Sequence, residues 1–434
     1  MESLLETVKG DKEKISMPIV SKSKFRFHLL SLVHLPQSKE YMSCAFSQKN
    51  RKLAKMLTDL GHEVFFYGSE GSDIEEYCDS DNLHFVQTHT LAEIAETWGD
   101  GDNRFEIGYD WKNTDFRHDF SGARTPLTLK FYERVIDHIN KIKKPDDFLL
   151  NSMGYYYKPI QDKVNLYLSC ESGIGYRGSM KGTDAKFNFR AFESAFIRDF
   201  TYGSEHPFED INGSNYDRII PNYFDAEDFV YQEKKEDYYF FIGRMIQRKG
   251  IREAVEACKA VGAKLIIAGQ GASVHSNGHL IPNTNPDFDI EPSTWEYVGF
   301  VDVPQRKKWM AGAIATFTPT LYQEIFGGTH IESMLHGTPP ITSDFGVFNG
   351  TIPDSINGKL GFRCSTLNDL VNAMEKAKTV DHAEVRKYAE RYLMPKVAQD
   401  YQQWFEDLYH LYLSSTGIKN EGWYWLPHKS KKGE

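Results

Sequence analysis

The sequence predicts an α/β protein of two domains, each built on a parallel, doubly wound sheet, and three observations carry that expectation. The chain has 434 residues, more than the roughly 250 to 300 that one hydrophobic core organises. Short apolar runs alternate with amphipathic stretches of helical period, in two separate series. Between the series lies Ile219 to Lys235, IIPNYFDAEDFVYQEKK, where a proline and clustered charge mark a linker.

Residues 1–24 are polar and lack amphipathic period, which predicts a flexible extension. The first domain, 25–220, opens with a buried strand, FRFHLLSLVHL. An amphipathic helix follows, SQKNRKLAKMLTDLG, carrying Leu53, Met56, Leu57 and Leu60 on one face, and then the strand HEVFFYG. Gly61 stands where a helix stop belongs. Further strands are expected at Leu83 to Gln87, Asp147 to Asn151 and Val164 to Cys170, with helices at Pro126 to Lys143 and Phe187 to Arg198. The stretch from Thr97 to Thr125 reads as a loop.

The second domain, 237–381, begins with the strand YYFFIGR, the helix Gly250 to Val261 and the strand AKLIIAG. Tyr297 to Phe300 is read as a strand, Pro304 to Ala313 as a helix and Ala315 to Pro319 as a strand. Thr329 to Leu335 is then a helix and Pro339 to Ile341 a strand. The remainder, 382–434, predicts a helix from about His382 to Leu413, broken at Pro395, and a tail. Its aromatic residues Tyr401, Trp404, Phe405, Tyr409 and Tyr412 are placed to pack back on the first domain.

Composition narrows the function classes. A formal net charge of −10 gives no global attraction for nucleic acid or an anionic membrane, so an anionic ligand has to be held by a few placed cations. Cys44, Cys78, Cys170, Cys258 and Cys364 are scattered and nowhere in CxxC spacing, which suits reduced thiols rather than a disulfide framework or a zinc site. No run approaches the roughly 18 to 20 apolar residues of a membrane span, and the amino terminus has no signal-peptide pattern, so the expected address is cytoplasmic.

Two passages in the second domain carry chemistry. In FIGRMIQRKG, Gly243 ends a strand, Arg244 follows, and Lys249 precedes a helix. Two cations therefore meet a helix start at the carboxyl edge of a sheet, where open α/β sheets bind ligands. Arginine offers a planar fork and lysine a point charge to phosphate oxygens. In EIFGGTHIESMLHGTPP, Glu324 and Glu332 flank Phe326, Gly327 and Gly328. The glycines admit a ligand to backbone N–H groups at a helix start, and the carboxylates accept hydrogen bonds from vicinal hydroxyls. Gly269 and Gly271, after the strand AKLIIAG, add another close backbone approach.

In this order and within one domain, these blocks resemble the donor domain of family 4 glycosyltransferases of the GT-B type. That fold sets two Rossmann-like domains, with parallel doubly wound sheets, face to face across a cleft. The matching positions are Gly243, Arg244, Lys249 and Gly250, then Gly269 and Gly271, then Glu324 to Glu332 with Gly337, Thr338 and Pro339. The resemblance implies that Arg244 and Lys249 hold the donor diphosphate, Glu324 contacts the transferred sugar and Glu332 the ribose. It implies that the amides of Gly327 and Gly328 contact sugar and phosphate. It also implies a nucleotide diphosphate sugar, by family prior a UDP-sugar, as co-substrate. Transfer would go to a saccharide or other hydroxyl with retained anomeric configuration, and no metal or other cofactor is required.

The first domain departs from that pattern. LPQSKEYMSCAF replaces the usual glycine pair after the first strand, and Asn151, Ser152 and Met153 stand where a histidine is usual. Glu171, in ESGIGYRG at the end of a strand, is the alternative catalytic candidate, either as an orienting group or base for the acceptor or as a loop cap. His34 and His118 are weaker candidates, and His330 is expected to face away from the donor. GHEVFFYG and SGIGYRG also resemble bacterial and phage glycosyltransferases, which keeps two alternatives open. One is transfer to hydroxylated DNA bases in a host cytoplasm, with Lys39, Lys49, Arg51 and Lys52 as phosphate contacts. The other is a nucleotide-sugar epimerase or a non-catalytic nucleotide-sugar binder.

Overall fold

In the first half of the chain the apolar runs become strands β1 (Arg26–Leu30), β2 (Glu63–Ser69), β3 (Leu83–His89), β4 (Phe148–Asn151), β5 (Leu168–Ile174), β6 (Phe189–Phe192) and β7 (Arg218–Ile219). In the second half they become β8 (Tyr239–Ile242), β9 (Leu265–Ala268), β10 (Ala272–Val274), β11 (Leu280–Pro282), β12 (Trp295–Tyr297), β13 (Thr316–Thr318), β14 (Pro340–Ser343) and β15 (Phe362–Cys364). The structure is a computed structural model that describes residues 24–40, 44–98, 125–152, 157–174, 188–205, 215–283, 285 and 288–415. All but the last residue of the expected extension over 1–24, residues 99–124 of the expected loop Thr97 to Thr125 with His118, Met153, most of the SGIGYRG stretch and the tail beyond 415 lie outside those residues, and Thr97 and Trp98 end the helix Leu91–Trp98.

Two sheets result. The first has seven strands in the order β3-β2-β1-β4-β5-β6-β7, and the second has six in the order β12-β9-β8-β13-β14-β15. All pairings in both are parallel. Parallel strands need crossovers, and helices such as Ala45–Asp59 and Ile251–Val261 supply them. Strands covered on both faces read as continuous apolar runs, and β4, β9 and β14 are buried along their whole length. Between β9 and β12 the chain instead makes the antiparallel hairpin β10–β11.

Four local expectations are corrected. The strand expected at Tyr297 to Phe300 runs over Trp295–Tyr297 and shares only its first residue with the expected span. The first part of the expected helix Phe187 to Arg198 is instead β6, and the helix runs over Ala195–Glu205. A buried strand tolerates Arg190 because its Nε meets Asp217 at 3.0 Å, and Tyr202 donates to the same carboxylate at 2.8 Å. The stretch from Val164 is strand only from Leu168, because Lys158–Val164 is a helix. Pro395 does not break the last helix. The break is a tight turn over Glu390–Tyr392, and Pro395 sits in the first turn of the helix Met394–Ser415, where a missing N–H costs nothing.

That last helix packs on the first sheet. Phe405 places its ring 4.7 Å from Phe27 and 5.2 Å from Phe148, and buried Trp404 donates from Nε1 to the Tyr216 carbonyl at 2.7 Å. Truncating either aromatic to alanine would cost about 3–5 kcal/mol. The chain passes between the two sheet regions once near Phe224 and again near Leu393. The crossings pair with each other: the Phe224 N–H donates to Tyr392 at 3.0 Å and the Met394 N–H to Phe224 at 2.9 Å.

Candidate functional site

In the second sheet the strand order reverses between β8 and β13, and an open α/β sheet leaves a crevice at the carboxyl ends of such a pair. Both sequence passages are delivered there. Gly243 and Arg244 follow β8, and Lys249 closes the short turn Gln247–Lys249 before the helix Ile251–Val261. Glu324 lies in the loop after β13, ahead of the helix Gly328–Leu335. The loops are stitched together by the Leu321 N–H, which donates to Arg248 at 2.8 Å.

A pocket opens at this crevice, lined by Ile242, Lys249, Thr318, Thr320, Glu324, Gly327, Gly328 and Thr329 among others. On its wall the Lys249 ammonium donates to the Tyr322 hydroxyl at 2.6 Å and to Glu324 Oε2 at 3.2 Å. Burial, and then the Glu324 carboxylate, push the Tyr322 phenol well above its ordinary value, so it stays protonated and accepts from the lysine. The charge of Arg244, which is solvent exposed, also acts on that phenol. Lys249 and Glu324 retain 23% and 16% side-chain exposure, so the pair is open to exchange partners with a ligand. Tyr322 was not singled out in the sequence. A tyrosine two residues ahead of a glutamate carries no periodic signal, and only the loop geometry brings its hydroxyl to the lysine.

Gly327 caps the Gly328–Leu335 helix in a left-handed conformation, φ +70°, with no side-chain cap. The first N–H groups of that helix therefore present partial positive charge at the pocket-lining residues. A Cβ on Gly327 would stand 2.8 Å from the Glu324 Cγ, so this glycine also fixes where the carboxylate points. Gly269 is required by packing, since a Cβ there would lie 1.7 Å from the Gly243 carbonyl oxygen. Gly243 and Gly328 differ: a Cβ would meet nothing nearer than 3.8 Å and 3.6 Å respectively. The fold does not demand glycine at those two positions, and a ligand approaching the backbone would.

The other donor candidates fall around this centre. Glu332 lies one turn beyond Gly328 on the same helix face and is paired with Arg306 at 3.5 Å, a cation the sequence did not flag. Gly271, φ +94°, follows β9, and its carbonyl accepts from the Asn283 N–H at 2.8 Å. Phe326 turns its ring into a buried apolar cluster with Phe224, Phe229, Ile331 and Tyr392, so what it can offer a ligand is backbone. His330 is fully buried, bonded to Gly327 and Thr351 rather than facing the pocket, and burial lowers its pKa to about 4.

In the first domain Glu171 is buried on β5, in register with Asn151 of β4 and Arg190 of β6. His34 is half-buried in the loop after β1. The four cations weighed as phosphate contacts are mostly occupied. Lys49 is buried against Glu193 and the Gly173 carbonyl, Arg51 pairs with Asp73 at 2.5 Å and lies over the Tyr77 ring, and Lys52 pairs with Asp228 at 3.4 Å. Lys39 alone of the four is exposed. Among the described residues, no three His, Cys, Asp or Glu side chains converge as a metal-ligand set.

Comparison with known proteins bears on the same region. Residues 224–392 match the family described as glycosyl transferases group 1. An uncharacterized glycosyltransferase of Methanocaldococcus jannaschii is 24% identical over 331 residues, covering 70% of this chain and 78% of that protein. Among solved structures, sucrose-phosphate synthase from Thermosynechococcus elongatus superposes with a TM-score of 0.59 at 16% identity, covering 91% of this chain and 100% of that one. Anabaena HepE in complex with UDP-glucose superposes at 0.53 and 12% identity, over 88% and 98% of the two chains. At those identities the likeness is one of fold, two Rossmann-like domains in the GT-B arrangement.

Proposed function

We propose that this chain, which matches the glycosyl transferases group 1 family over residues 224–392 and has the GT-B fold, transfers a sugar from a UDP-sugar to a hydroxyl of a saccharide or other small acceptor, with retention and without a metal. The observation that carries this reading is the Lys249–Glu324 pair on the pocket wall, beside an uncapped helix start. When the donor binds, Lys249 and Arg244 turn to the diphosphate and Glu324 exchanges its lysine for sugar hydroxyls. The amides at Gly327 and Gly328 add fixed dipoles, and Glu332 takes the vicinal ribose hydroxyls. Fixed cations and amides stabilise the departing diphosphate, which then accepts the acceptor's proton on the same face. Bound donor in HepE supports the choice of UDP-sugar by analogy. On the acceptor side Glu171 orients the attacking hydroxyl.

Free, buried cysteines at all five positions support a reducing, cytoplasmic setting. No helix among the described residues is long and apolar enough to cross a membrane. The engaged state of Lys49, Arg51 and Lys52 weighs against DNA as acceptor, since three of the four cations already have partners. The test is a thermal-shift and product screen with UDP, GDP, ADP, dTDP and their sugars, with and without EDTA. The expected result is stabilisation by UDP and a UDP-sugar, unchanged by EDTA, with sugar transfer only when an acceptor is added. Conversion of the donor to an isomer without acceptor would instead establish an epimerase, and loss of response in EDTA would overturn metal independence.

A further inference from the structure

One polar contact runs from the first domain directly into the Glu324 loop. Ser194, which follows β6, donates from Oγ to the carbonyl of Ile325 at 2.7 Å. The same oxygen accepts the Ile197 N–H at 3.3 Å at the start of the Ala195–Glu205 helix, so its hydrogen is committed to Ile325. The Ile325 side chain packs on the small apolar cluster of Phe192 and Ile197, with Tyr202 beside it. Ile325 is the residue between Glu324 and Phe326. Holding its carbonyl fixes the Ile325–Phe326 peptide, one residue beyond Glu324, while the Glu324 carbonyl itself accepts from the Val347 N–H at 3.4 Å.

Ser194 is in turn braced from behind. Glu193, its neighbour in sequence, is paired with the buried ammonium of Lys49, and that ammonium also donates to the Gly173 carbonyl at 2.7 Å. Side-chain exposures of 8% and 7% for Lys49 and Glu193 make this a pair that cannot rearrange without cost. A continuous line of contacts therefore joins the end of β5, which bears Glu171, through Lys49, Glu193 and Ser194, to Ile325 and Glu324.

We propose that Ser194 is a positioning residue: its hydrogen bond to Ile325 makes the orientation of Glu324 depend on the first domain being closed against the second. This rests on the reading of Glu324 as the group that contacts the transferred sugar. Nucleotide binding draws on Arg244, Lys249 and the helix start, none of which touches Ser194, so it is independent of the contact. Transfer is not, because without the brace Glu324 is held by the second domain alone.

The experiment compares the full-length wild type with Ser194→Ala and Ser194→Thr. Hydrogen exchange of the backbone over 324–329 is measured without ligand, and UDP affinity and the kcat and KM for the best donor of the nucleotide-sugar panel are measured alongside. The expected result for Ser194→Ala is exchange faster by about three- to tenfold in that segment and kcat lower by a similar factor, the scale of one lost hydrogen bond. UDP affinity and donor KM stay within about twofold of wild type, and Ser194→Thr restores both exchange and kcat. Unchanged exchange in Ser194→Ala overturns the proposal, as does a fall in UDP affinity that matches the fall in kcat. A wild type that turns over no donor refutes the reading of Glu324 instead, and the exchange result still decides whether Ser194 holds the loop.

Discussion

Lys49 and Lys249 each reach a glutamate, one in each half of the molecule, and their surroundings give them opposite tasks. Lys49 lies under the carboxyl ends of β5 and β6, sealed against Glu193 and a backbone carbonyl. Burial lowers its pKa to about 7, and its contacts tie the end of β5 to the segment after β6. Lys249 stands on a pocket wall, shared between Tyr322 and Glu324 and partly exposed. The comparison extends to neighbours, for Arg51 and Lys52 are paired inside the first domain and its linker, whereas Arg244 remains exposed at the second sheet's edge. Two chemically similar ion pairs thus differ in solvent access, which fixes whether a ligand can substitute for the partner.

The largest contrast should come from replacing each lysine. Lys49→Met leaves the Glu193 carboxylate buried and uncompensated and is expected to cost about 3–5 kcal/mol in urea unfolding. Lys249→Met should leave the unfolding midpoint nearly unchanged and lower kcat by about a hundred- to a thousandfold, the scale of a lost oxyanion-type donor. The reverse pattern would dissolve the distinction between the two sites.

The glycines sharpen the same contrast. Gly269→Ala drives a Cβ into the Gly243 carbonyl at φ +140° and is expected to destabilise by about 1–3 kcal/mol or more. Gly328→Ala meets only ordinary contact at 3.6 Å, so it should fold normally and weaken nucleotide affinity by about tenfold in a titration. Normal affinity in that variant would show that the ligand does not approach the backbone there. Tyr322→Phe removes one acceptor from Lys249, and its expected effect is about 1 kcal/mol, roughly fivefold in kcat, without a change in unfolding.

A dependence on pH, by contrast, does not discriminate between the halves. His62 and His89 in the first domain and His330 and His336 in the second are each lowered by burial from 6.5 to about 4. Below pH 6.5 the unfolded chain takes up protons that the folded chain refuses until about pH 4. The histidines' contribution to stability is therefore full above pH 6.5 and is lost as pH falls through that window. Urea midpoints at pH 7.5, 6 and 5 should decline in sequence, and a flat series would contradict the buried, neutral state of these rings.

How much of this was legible in the sequence follows the range of the interactions involved. The Gly243–Lys249 and Glu324–Glu332 passages are local, a few residues each, so the first is legible as a strand end at a sheet edge and the second as a loop entering a helix; that both meet at one crevice is seen in three dimensions. Phe326 lies inside such a passage, yet its ring belongs to a cluster built from the linker and Tyr392, which no local pattern reveals. The β6 strand carries Arg190, and the Asp217 that neutralises it lies 27 residues later, beyond the reach of any local pattern. Tyr322, Arg306 and the line from Lys49 through Ser194 depend on contacts between distant segments and became visible only in three dimensions.

In the proposed function the second domain's cations and glycine-opened helix start hold a nucleoside diphosphate. The most direct measurement is calorimetric titration of UDP, GDP, ADP and dTDP in EDTA into wild type and Lys249→Met. The account predicts one site per chain for one of these nucleotides, weakened at least about tenfold by the substitution at an unchanged unfolding midpoint. Binding of none of them, or binding of equal strength in the variant, would contradict it.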